Sequence, residues 1–322
     1  MSHSQVYLGI DLGGTKIEII ALDTTGQTLY RTRVATPLAP NIELKTQQEH
    51  ASDASKDTQY QDILHAIQSL VDDCEQHLKL FNLPVGIGIP GAISQVTGLV
   101  KNANTVCLIG NNLNKDLQAK LHRPVKIEND ANCFALSEAL DGAGQSSNCV
   151  FAVILGTGVG AGWVINKSLH VGSNAIAGEW GHNPLPWPSA QDEPLQDCYC
   201  GKHGCIETYL SGPGFSKQTN LQHQLLASCP EIIASIHNDH RAKQSYEMYV
   251  DRLARSLASV INIMDPDAIV LGGGVSNIDS LYTDVPKTWG KYIFSDSIKT
   301  KLVKNQYGDS SGVRGAAWLN KQ

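Results

Sequence analysis

Two glycine-rich turns have a composition that could bind phosphate. One reads DLGGTK at residues 11–16 after the apolar segment 6–10, and the other reads GTGVG at residues 156–160 after the apolar segment 150–155. Glycine lets backbone N–H groups approach a phosphate without a Cβ in the way, and a threonine hydroxyl adds a donor. Neither turn fits the Walker or the dinucleotide-binding pattern. Each could be an ordinary hairpin, but the pair, one bearing Asp11, favours phosphate binding.

Asp130 is a candidate for proton transfer. It follows a short predicted strand that begins at Val125 and precedes a predicted helix over residues 131–140. An aspartate in that place can cap the helix N-terminus. A carboxylate at a strand end can also accept the proton of a substrate hydroxyl while that oxygen attacks phosphorus. The residues alone leave both interpretations open.

A histidine and three cysteines have the spacing of a metal site. His182 lies sixteen residues before Cys198, and Cys200 and Cys205 complete three thiols within eight residues. Such a set suits tetrahedral zinc, and four protein ligands would make the site structural. The alternatives are free cysteines on a loop, or His203 as a ligand.

Two glutamates flank this cysteine loop. Glu179 lies in the segment GEWGH at residues 178–182, and Glu207 follows the last cysteine. Isolated exposed glutamates are usually solvated surface. Beside a rigid metal loop, their acceptor oxygens favour binding of sugar hydroxyl groups.

The elements that must position these residues follow from hydrophobic periodicity. The apolar segments on either side of each glycine turn are predicted strands, so two similar hairpins lie about half a chain apart. This repetition predicts a duplicated α/β domain with a cleft between the copies. Further strands are predicted over residues 85–89 and 268–271, and both run into glycine turns, where α/β proteins place ligands.

Apolar residues at spacings of three and four predict amphipathic helices over residues 63–78 and 246–264. Pro266 ends the second of these helices. The polar segment 39–61 shows no clear period and is predicted to be a mobile surface excursion.

Length and composition exclude several classes of protein. A chain of 322 residues with 42% apolar residues favours two folded domains and excludes a disordered chain. The formal charge of −6 gives no basic excess for nucleic acid. The longest apolar run, residues 149–155, is too short to span a bilayer, and no signal peptide is expected at the N-terminus. Eight cysteines then predict reduced thiols or metal ligands in a cytoplasmic protein, with no membrane partner.

Taken together, these motifs resemble the ROK family of sugar kinases and repressors. The resemblance rests on DLGGTK, the turn at residues 156–162, GEWGH, and the pattern C-x-C-G-x-x-G-C-I-E at residues 198–207. A finer similarity to the bacterial fructokinases of that family rests on VKNANT at 100–105, HNPLPW at 182–187 and GDSSGVRG at 308–315.

The resemblance implies a duplicated actin-like (ribonuclease H-like) α/β fold with two domains and a cleft. The N-terminal domain would comprise residues 1–124 and 306–322, because the final helix near residues 312–319 would return to it. Residues 125–305 would form a larger domain with the zinc loop. The implied activity is ATP-dependent phosphorylation of a hexose, most specifically of D-fructose to fructose 6-phosphate, in a homodimer.

The resemblance also assigns roles to residues. Asp130 would be the catalytic base, and Asp11 would act on Mg²⁺. His182 would place one ring nitrogen on structural zinc, with Cys198, Cys200 and Cys205, and the other on a sugar hydroxyl. The implied sugar contacts are Asn104, Asn129, Glu179, His182 and Glu207. The implied contacts to ATP are Asp11, Gly13, Gly14, Thr15, Lys16, Thr157, Gly158, Gly273 and Gly274.

Three alternatives stay open. A repressor of the family would carry a helix-turn-helix ahead of the first glycine turn, and that turn begins here at residue 11, which argues for an enzyme. A sugar-binding protein without activity is disfavoured by the presence of Asp130 and both turns. Within enzymes, N-acetylglucosamine kinase or glucokinase is the alternative. The long polar segment and Tyr307, where the fructokinase pattern often has His, depart from the subfamily.

Overall fold

The structure is a computed structural model that describes residues 5–38 and 53–322. It divides the chain into two compact units, residues 1–137 with 310–322, and residues 138–309. The predicted boundaries lay at 124/125 and 305/306. The strand at residues 125–129 pairs within the first unit's sheet, which explains why that unit extends beyond residue 124.

Twelve strands and nine α-helices are present in the described residues. The strands are β1 (Val6–Leu12), β2 (Lys16–Asp23), β3 (Thr28–Ala35), β4 (Val85–Ile89), β5 (Ala92–Ile93), β6 (Val100–Lys101), β7 (Val125–Asn129), β8 (Cys149–Leu155), β9 (Val159–Ile165), β10 (Ser168–His170), β11 (Ala268–Gly272) and β12 (Lys301–Lys304). The helices are α1 (Asp53–Leu78), α2 (Leu113–Leu121), α3 (Asp130–Leu140), α4 (Glu207–Leu210), α5 (Gly212–His223), α6 (Cys229–Ser235), α7 (His240–Met264), α8 (Leu281–Trp289) and α9 (Ser311–Trp318).

Each unit contains a five-stranded sheet, and the two sheets have the same topology. In the first, the strand order is β3-β2-β1-β4-β7, and in the second it is β10-β9-β8-β11-β12. In each, the first three strands in chain order pair antiparallel, and the next two lie parallel to the first. The predicted duplication is therefore confirmed, down to the hairpin that carries each glycine turn.

The parallel strands decide where functional side chains emerge. Because the carboxyl ends of parallel strands meet at one edge of a sheet, the ends of β1, β4 and β7 lie together in the first unit. That edge carries Asp11, Gly91 and the pair Asn129 and Asp130.

The C-terminal helix α9 packs on the first unit's sheet, as predicted. Its backbone lies directly against β1 and β4, because a Cβ at Gly9 or Gly86 would collide with the carbonyl oxygens of Val313 or Ala316. Only glycine allows so close an approach. The discontinuous first unit therefore depends on these two glycines.

One prediction about helix α1 is wrong in part. The helix begins at Asp53, so residues 53–61 are helical and are not part of an irregular excursion. Tyr60 is buried there and donates to Asp116 Oδ2 at 2.6 Å, while neighbouring polar residues face solvent. The earlier part of that polar segment, residues 39–52, lies outside the described residues.

The predicted helix over residues 246–264 is confirmed within α7. Leu253 and Leu257 are fully buried in the second unit's core, and Asp265 ends the helix in the left-handed conformation, with Pro266 next. Over residues 5–38 and 53–322, no helix has both the length and the apolarity that a membrane span requires.

Candidate active site

The turn between β1 and β2 is a tight hairpin loop in the first unit. The Gly13 N–H donates to Lys16 O at 2.9 Å, and the Thr36 hydroxyl donates to Gly13 O at 2.7 Å. Gly14 and Thr15 at the tip are exposed. The backbone of the turn is thus held from below while its tip faces solvent, the arrangement that a phosphate loop needs.

Asp11 lies at the end of β1, close to a second carboxylate. Burial, together with the charges of Asp130 and Glu18, raises the pKa of Asp11 to about 6, while the charge of Lys16 opposes this shift. A Cβ on Gly312 would lie 3.8 Å from Asp11 Cγ, so glycine at that position leaves space beside the carboxylate. Carboxylates placed so that they repel one another are characteristic of cation sites and catalytic sites.

Asp130 is the first residue of α3 and is exposed. The Ala131 N–H donates to Asp130 Oδ1 at 2.8 Å and also to Asn129 Oδ1 at 2.9 Å, so the side chain that caps the helix is that of Asn129, and the predicted cap by Asp130 is not formed. The Asp130 carboxylate lies near Asp11 at the edge where the strands end. The bond from the Ala131 N–H orients the carboxylate of Asp130, which is compatible with a role as base.

The two asparagines predicted to contact sugar lie in the same unit. The Asn129 side chain donates to Gly91 O at 2.8 Å and accepts from the Ala131 N–H at 2.9 Å, which fixes the amide between two neighbouring strand ends. Asn104 is exposed and precedes the buried Thr105, whose hydroxyl faces Gly14.

In the second unit, the GEWGH segment forms a short 3₁₀ helix, Glu179–His182, against β9. Gly178 has φ of 103°, and a Cβ there would strike the carbonyl of Ala161. Gly181 likewise packs on the carbonyl of Val159. Both glycines bring the helix onto the strand, which buries Trp180 and leaves Glu179 exposed and His182 half-buried.

Glu207, predicted to contact sugar, also holds the second glycine turn. Its Oε2 accepts from the Val159 N–H at 2.8 Å, and a Cβ at Gly158 would lie 2.8 Å from the same oxygen. Thr157 at the tip of this turn is exposed. The sequence did not predict this second role, because the contact joins residues that are far apart in the chain.

Gly273 and Gly274 follow the end of β11. Gly273 has φ of 79° and approaches the backbone of Leu155 so closely that a Cβ would lie 2.5 Å from its carbonyl oxygen. A glycine is required where these two segments of the backbone pass so close to each other. Their predicted contact with the nucleoside stays a prediction.

The predicted zinc ligands come together in the second unit. One ligand atom from each of His182, Cys198, Cys200 and Cys205 lies within 4.8 Å of the others. His182 Nδ1 is 3.5 Å from Cys198 Sγ, and the sulfurs of Cys200 and Cys205 are 3.6 Å apart. Tetrahedral Zn–S and Zn–N bonds of about 2.3 and 2.0 Å place neighbouring ligand atoms about 3.5–3.8 Å apart. The cluster therefore fits a tetrahedral zinc ion.

His203, the alternative ligand, lies outside this cluster. Its Nδ1 is 2.7 Å from Asp197 Oδ1 at the surface. The structure therefore favours His182 over His203 as the fourth ligand.

Tyr199 is a site residue that the sequence did not predict. Its hydroxyl lies 2.9 Å from His182 Nε2. Its place between two predicted zinc ligands was the signal that could have identified it.

Comparisons with known proteins agree with this geometry. A profile of the ROK family matches residues 7–322. The N-acetyl-D-glucosamine kinase of Salmonella newport is 37% identical over 320 residues, which is 98% of this chain and 99% of that protein. The N-acetyl-D-glucosamine kinase of Shigella boydii serotype 4 is 38% identical over 321 residues, with the same coverage.

Solved structures show the same architecture. The ROK hexokinase from Thermus thermophilus matches with a TM-score of 0.81 at 25% identity, over 98% of this chain and 99% of that chain. A ROK family glucokinase from Streptomyces griseus, solved with glucose and AMPPNP, matches with a TM-score of 0.70 at 25% identity over 98% of both chains. The actin-like, ribonuclease H-like two-domain fold is thereby confirmed. The chain belongs to the ROK family, and within that family it is a sugar kinase.

Proposed function

We propose that the protein transfers the γ-phosphoryl group of ATP to a primary hydroxyl of a hexose, with Asp130 as the general base. The observation that carries the proposal is the pair of carboxylates at one sheet edge. Asp130 is exposed and oriented by its helix, and its charge helps to raise the pKa of the buried Asp11. Acidic groups with separate environments and separate roles are typical of phosphoryl-transfer sites.

In this proposal, Asp130 accepts the proton of the sugar hydroxyl as that oxygen forms its bond to the γ-phosphorus and the bond to the ADP oxygen breaks. Asp11 would hold Mg²⁺, which neutralises phosphate charge when bound. The two glycine turns, around Gly14 and Thr157, would supply backbone donors to the phosphates. Lys16 pairs with Glu18 at 3.4 Å, so its charge is held at the base of the first turn.

The sugar contacts proposed are Asn104, Asn129, Glu179, His182 and Glu207. Glutamate oxygens accept from hydroxyl groups, whereas the asparagine amides both donate and accept, and a polyhydroxylated ring needs both. One structural zinc ion on His182, Cys198, Cys200 and Cys205 would fix the His182 ring and the loop that follows it.

We take D-fructose as the first candidate for the acceptor. The support is the fructokinase-like segment after His182, which is fixed rather than mobile. The Leu185 N–H donates to Gly204 O at 2.9 Å, the Ile206 N–H donates to Asn183 O at 2.9 Å, and Arg255 donates to Pro186 O at 2.9 Å. A segment bound to both the cysteine loop and α7 can hold a pocket wall in one place.

N-acetyl-D-glucosamine is the second candidate, and the curated relatives favour it, since those at 37–38% identity over nearly the whole chain are N-acetyl-D-glucosamine kinases. Differences of a few contacts can exchange one acceptor for another within a shared machinery. The homodimer predicted from the sequence stays a prediction.

The test is a coupled assay of initial rates with Mg-ATP and, in turn, D-fructose, N-acetyl-D-glucosamine, D-glucose and D-mannose. We expect the highest kcat/KM with D-fructose. A higher kcat/KM with N-acetyl-D-glucosamine would show that this sugar is the preferred acceptor and would leave the proposed kinase activity in place. No turnover with any of the four sugars would contradict the kinase and favour a sugar-sensing regulator.

A further inference from the structure

Tyr199 contacts His182, a residue that is proposed to bind sugar. Its hydroxyl lies 2.9 Å from His182 Nε2, and the two rings meet edge to face at 90° with centroids 5.0 Å apart. The residue is nonetheless 84% exposed. Its side chain is thus held mainly by this one ring contact and its hydrogen bond.

The orientation of the His182 ring leaves a single position for this bond. Nδ1 faces Cys198 Sγ at 3.5 Å, toward the cysteine cluster, so Nε2 is the nitrogen that points away from it. Each imidazole nitrogen offers one hydrogen-bonding position in the plane of the ring, whichever tautomer is present. The Tyr199 hydroxyl and a sugar hydroxyl cannot both occupy the position at Nε2.

We infer that Tyr199 is a positioning residue that occupies the sugar's place on His182 in the sugar-free protein and must leave it when the hexose binds. This inference rests on the proposed function, in which His182 contacts a sugar hydroxyl. The hydroxyl of Tyr199 keeps Nε2 hydrogen-bonded and the ring oriented until the acceptor arrives. Binding then exchanges one hydrogen bond for another, which lowers the sugar's affinity.

The surroundings of Tyr199 permit the movement. Its backbone is held in a turn, since the Cys198 N–H donates to Lys202 O at 2.8 Å and the Gly201 N–H donates to Cys198 O at 3.0 Å. The exposed side chain can therefore rotate away from His182 without unpacking a core and without moving the cysteine ligands.

The test compares wild type with Tyr199→Phe, which keeps the ring against His182 and removes only the hydroxyl. The measurement is the dissociation constant, by calorimetry without ATP, of the hexose that wild type phosphorylates best. Because one neutral hydrogen bond corresponds to about a two- to tenfold change in an equilibrium constant, we expect the variant to bind that hexose about two- to tenfold more tightly. KM should fall with it.

Tyr246→Phe is the matched control, since its hydroxyl donates to Asp284 Oδ2 at 2.9 Å and neither residue belongs to the proposed site. Zinc content and melting temperature are measured on all three proteins, so that a merely structural effect is recognised. Equal or weaker sugar binding by Tyr199→Phe would overturn the inference while wild-type turnover still supports the proposed function. A wild type that neither binds nor phosphorylates any hexose would overturn both.

Discussion

Two aspartates, one in each unit, have opposite electrostatic environments. Asp11 in the first unit is desolvated beside other carboxylates, and its pKa is raised to about 6. Asp192 in the second unit is 1% exposed, and burial alone would raise its pKa as well. Instead, hydrogen bonds from the Ser189 N–H and Arg252, with the charges of Arg255 and Arg252, hold the pKa of Asp192 below its usual value.

This difference is the one expected between an aspartate proposed to act in catalysis and an aspartate that stabilises the fold. Asp192 accepts from Arg252 Nε at 2.8 Å and from Arg255 at 3.1 Å, so its charge is satisfied by the protein itself. For Asp11, the opposing cation found in the described residues is Lys16, and its carboxylate would gain from a bound cation. Raised pKa values with a specific charge partner are characteristic of functional sites.

The duplicated sheets sharpen this comparison. The last residues of the two first strands, Leu12 and Leu155, occupy equivalent places in their hairpins, so Asp11 corresponds to Ile154. Three residues join the strands in both hairpins. The repeat therefore reproduces the hairpin but not the register of its turn, since Leu12 pairs with Ile17 whereas Leu155 pairs with Val159, and it does not reproduce the charge of Asp11. The second unit contributes the metal cluster instead.

The largest expected effect comes from the metal cluster of the second unit. Cys205→Ser should abolish zinc binding, because a structural tetrahedral site needs all four ligands. Loss of a bound metal belongs to the substitutions that cost more than about 4 kcal/mol of unfolding free energy. Elemental analysis and thermal unfolding measure both effects.

Cys229→Ser is the control for that variant, since Cys229 is half-buried and is not a member of the cluster. Full stability and activity of a zinc-free wild type would contradict the structural role of the metal.

The next effect in size concerns Asp192. Asp192→Asn should lower the unfolding free energy by about 3–5 kcal/mol, because the buried Arg252 would lose its carboxylate partner and the buried Arg255 would keep only Asp251. Urea unfolding measures the loss. Asp197→Asn removes an exposed carboxylate from its contact with His203 and should leave the unfolding midpoint nearly unchanged. Equal losses of unfolding free energy in Asp192→Asn and Asp197→Asn would contradict the claim that the buried ion pairs stabilise the protein more than the surface pair.

The third prediction uses the pH dependence of Asp11. Because its pKa rises from 3.8 in the unfolded chain to about 6 in the folded protein, its ionisation costs stability as the pH rises through that range. Without divalent cations, Asp11→Asn should therefore be more stable than wild type by about 3 kcal/mol at pH 8 and by about 1 kcal/mol at pH 4.5.

Urea unfolding at the two pH values measures this change, with the exposed Asp72→Asn as control. Addition of Mg²⁺ should narrow the difference at pH 8 by stabilising the wild type. If the difference in unfolding free energy between Asp11→Asn and wild type did not grow with pH, the ionised Asp11 carboxylate would not be destabilised by burial.

Local patterns predicted much of this structure. The glycine turns, the helix α7 and the returning helix α9 depend on spacing within short segments, and the structure confirms their positions. It also brings together the four residues predicted as zinc ligands, whose role stays a prediction. The start of α1 was missed because its first two turns are polar on most faces, and of the side chains described there only Tyr60 is buried in the core. Periodicity is weak where a helix buries one residue per turn.

Contacts between distant segments could not be predicted. Glu207 holds the turn at Val159, and Gly312 leaves the space beside Asp11, through tertiary neighbours that no local pattern contains. The acceptor is undetermined for the same reason, since a hydroxyl-binding pocket depends on where the backbone places a few side chains.

The most direct test of the account measures rate and sugar binding on one preparation of Asp130→Asn. The amide keeps the size of the carboxylate but cannot accept the proton, and general-base catalysis contributes about 10²–10⁴ in rate. For Asp130→Asn we predict a kcat at least about 100-fold below that of wild type. The hexose dissociation constant should be close to that of wild type, and the circular dichroism spectrum should be unchanged. A folded variant that keeps more than about a tenth of the wild-type kcat would contradict the assignment of Asp130 as the base.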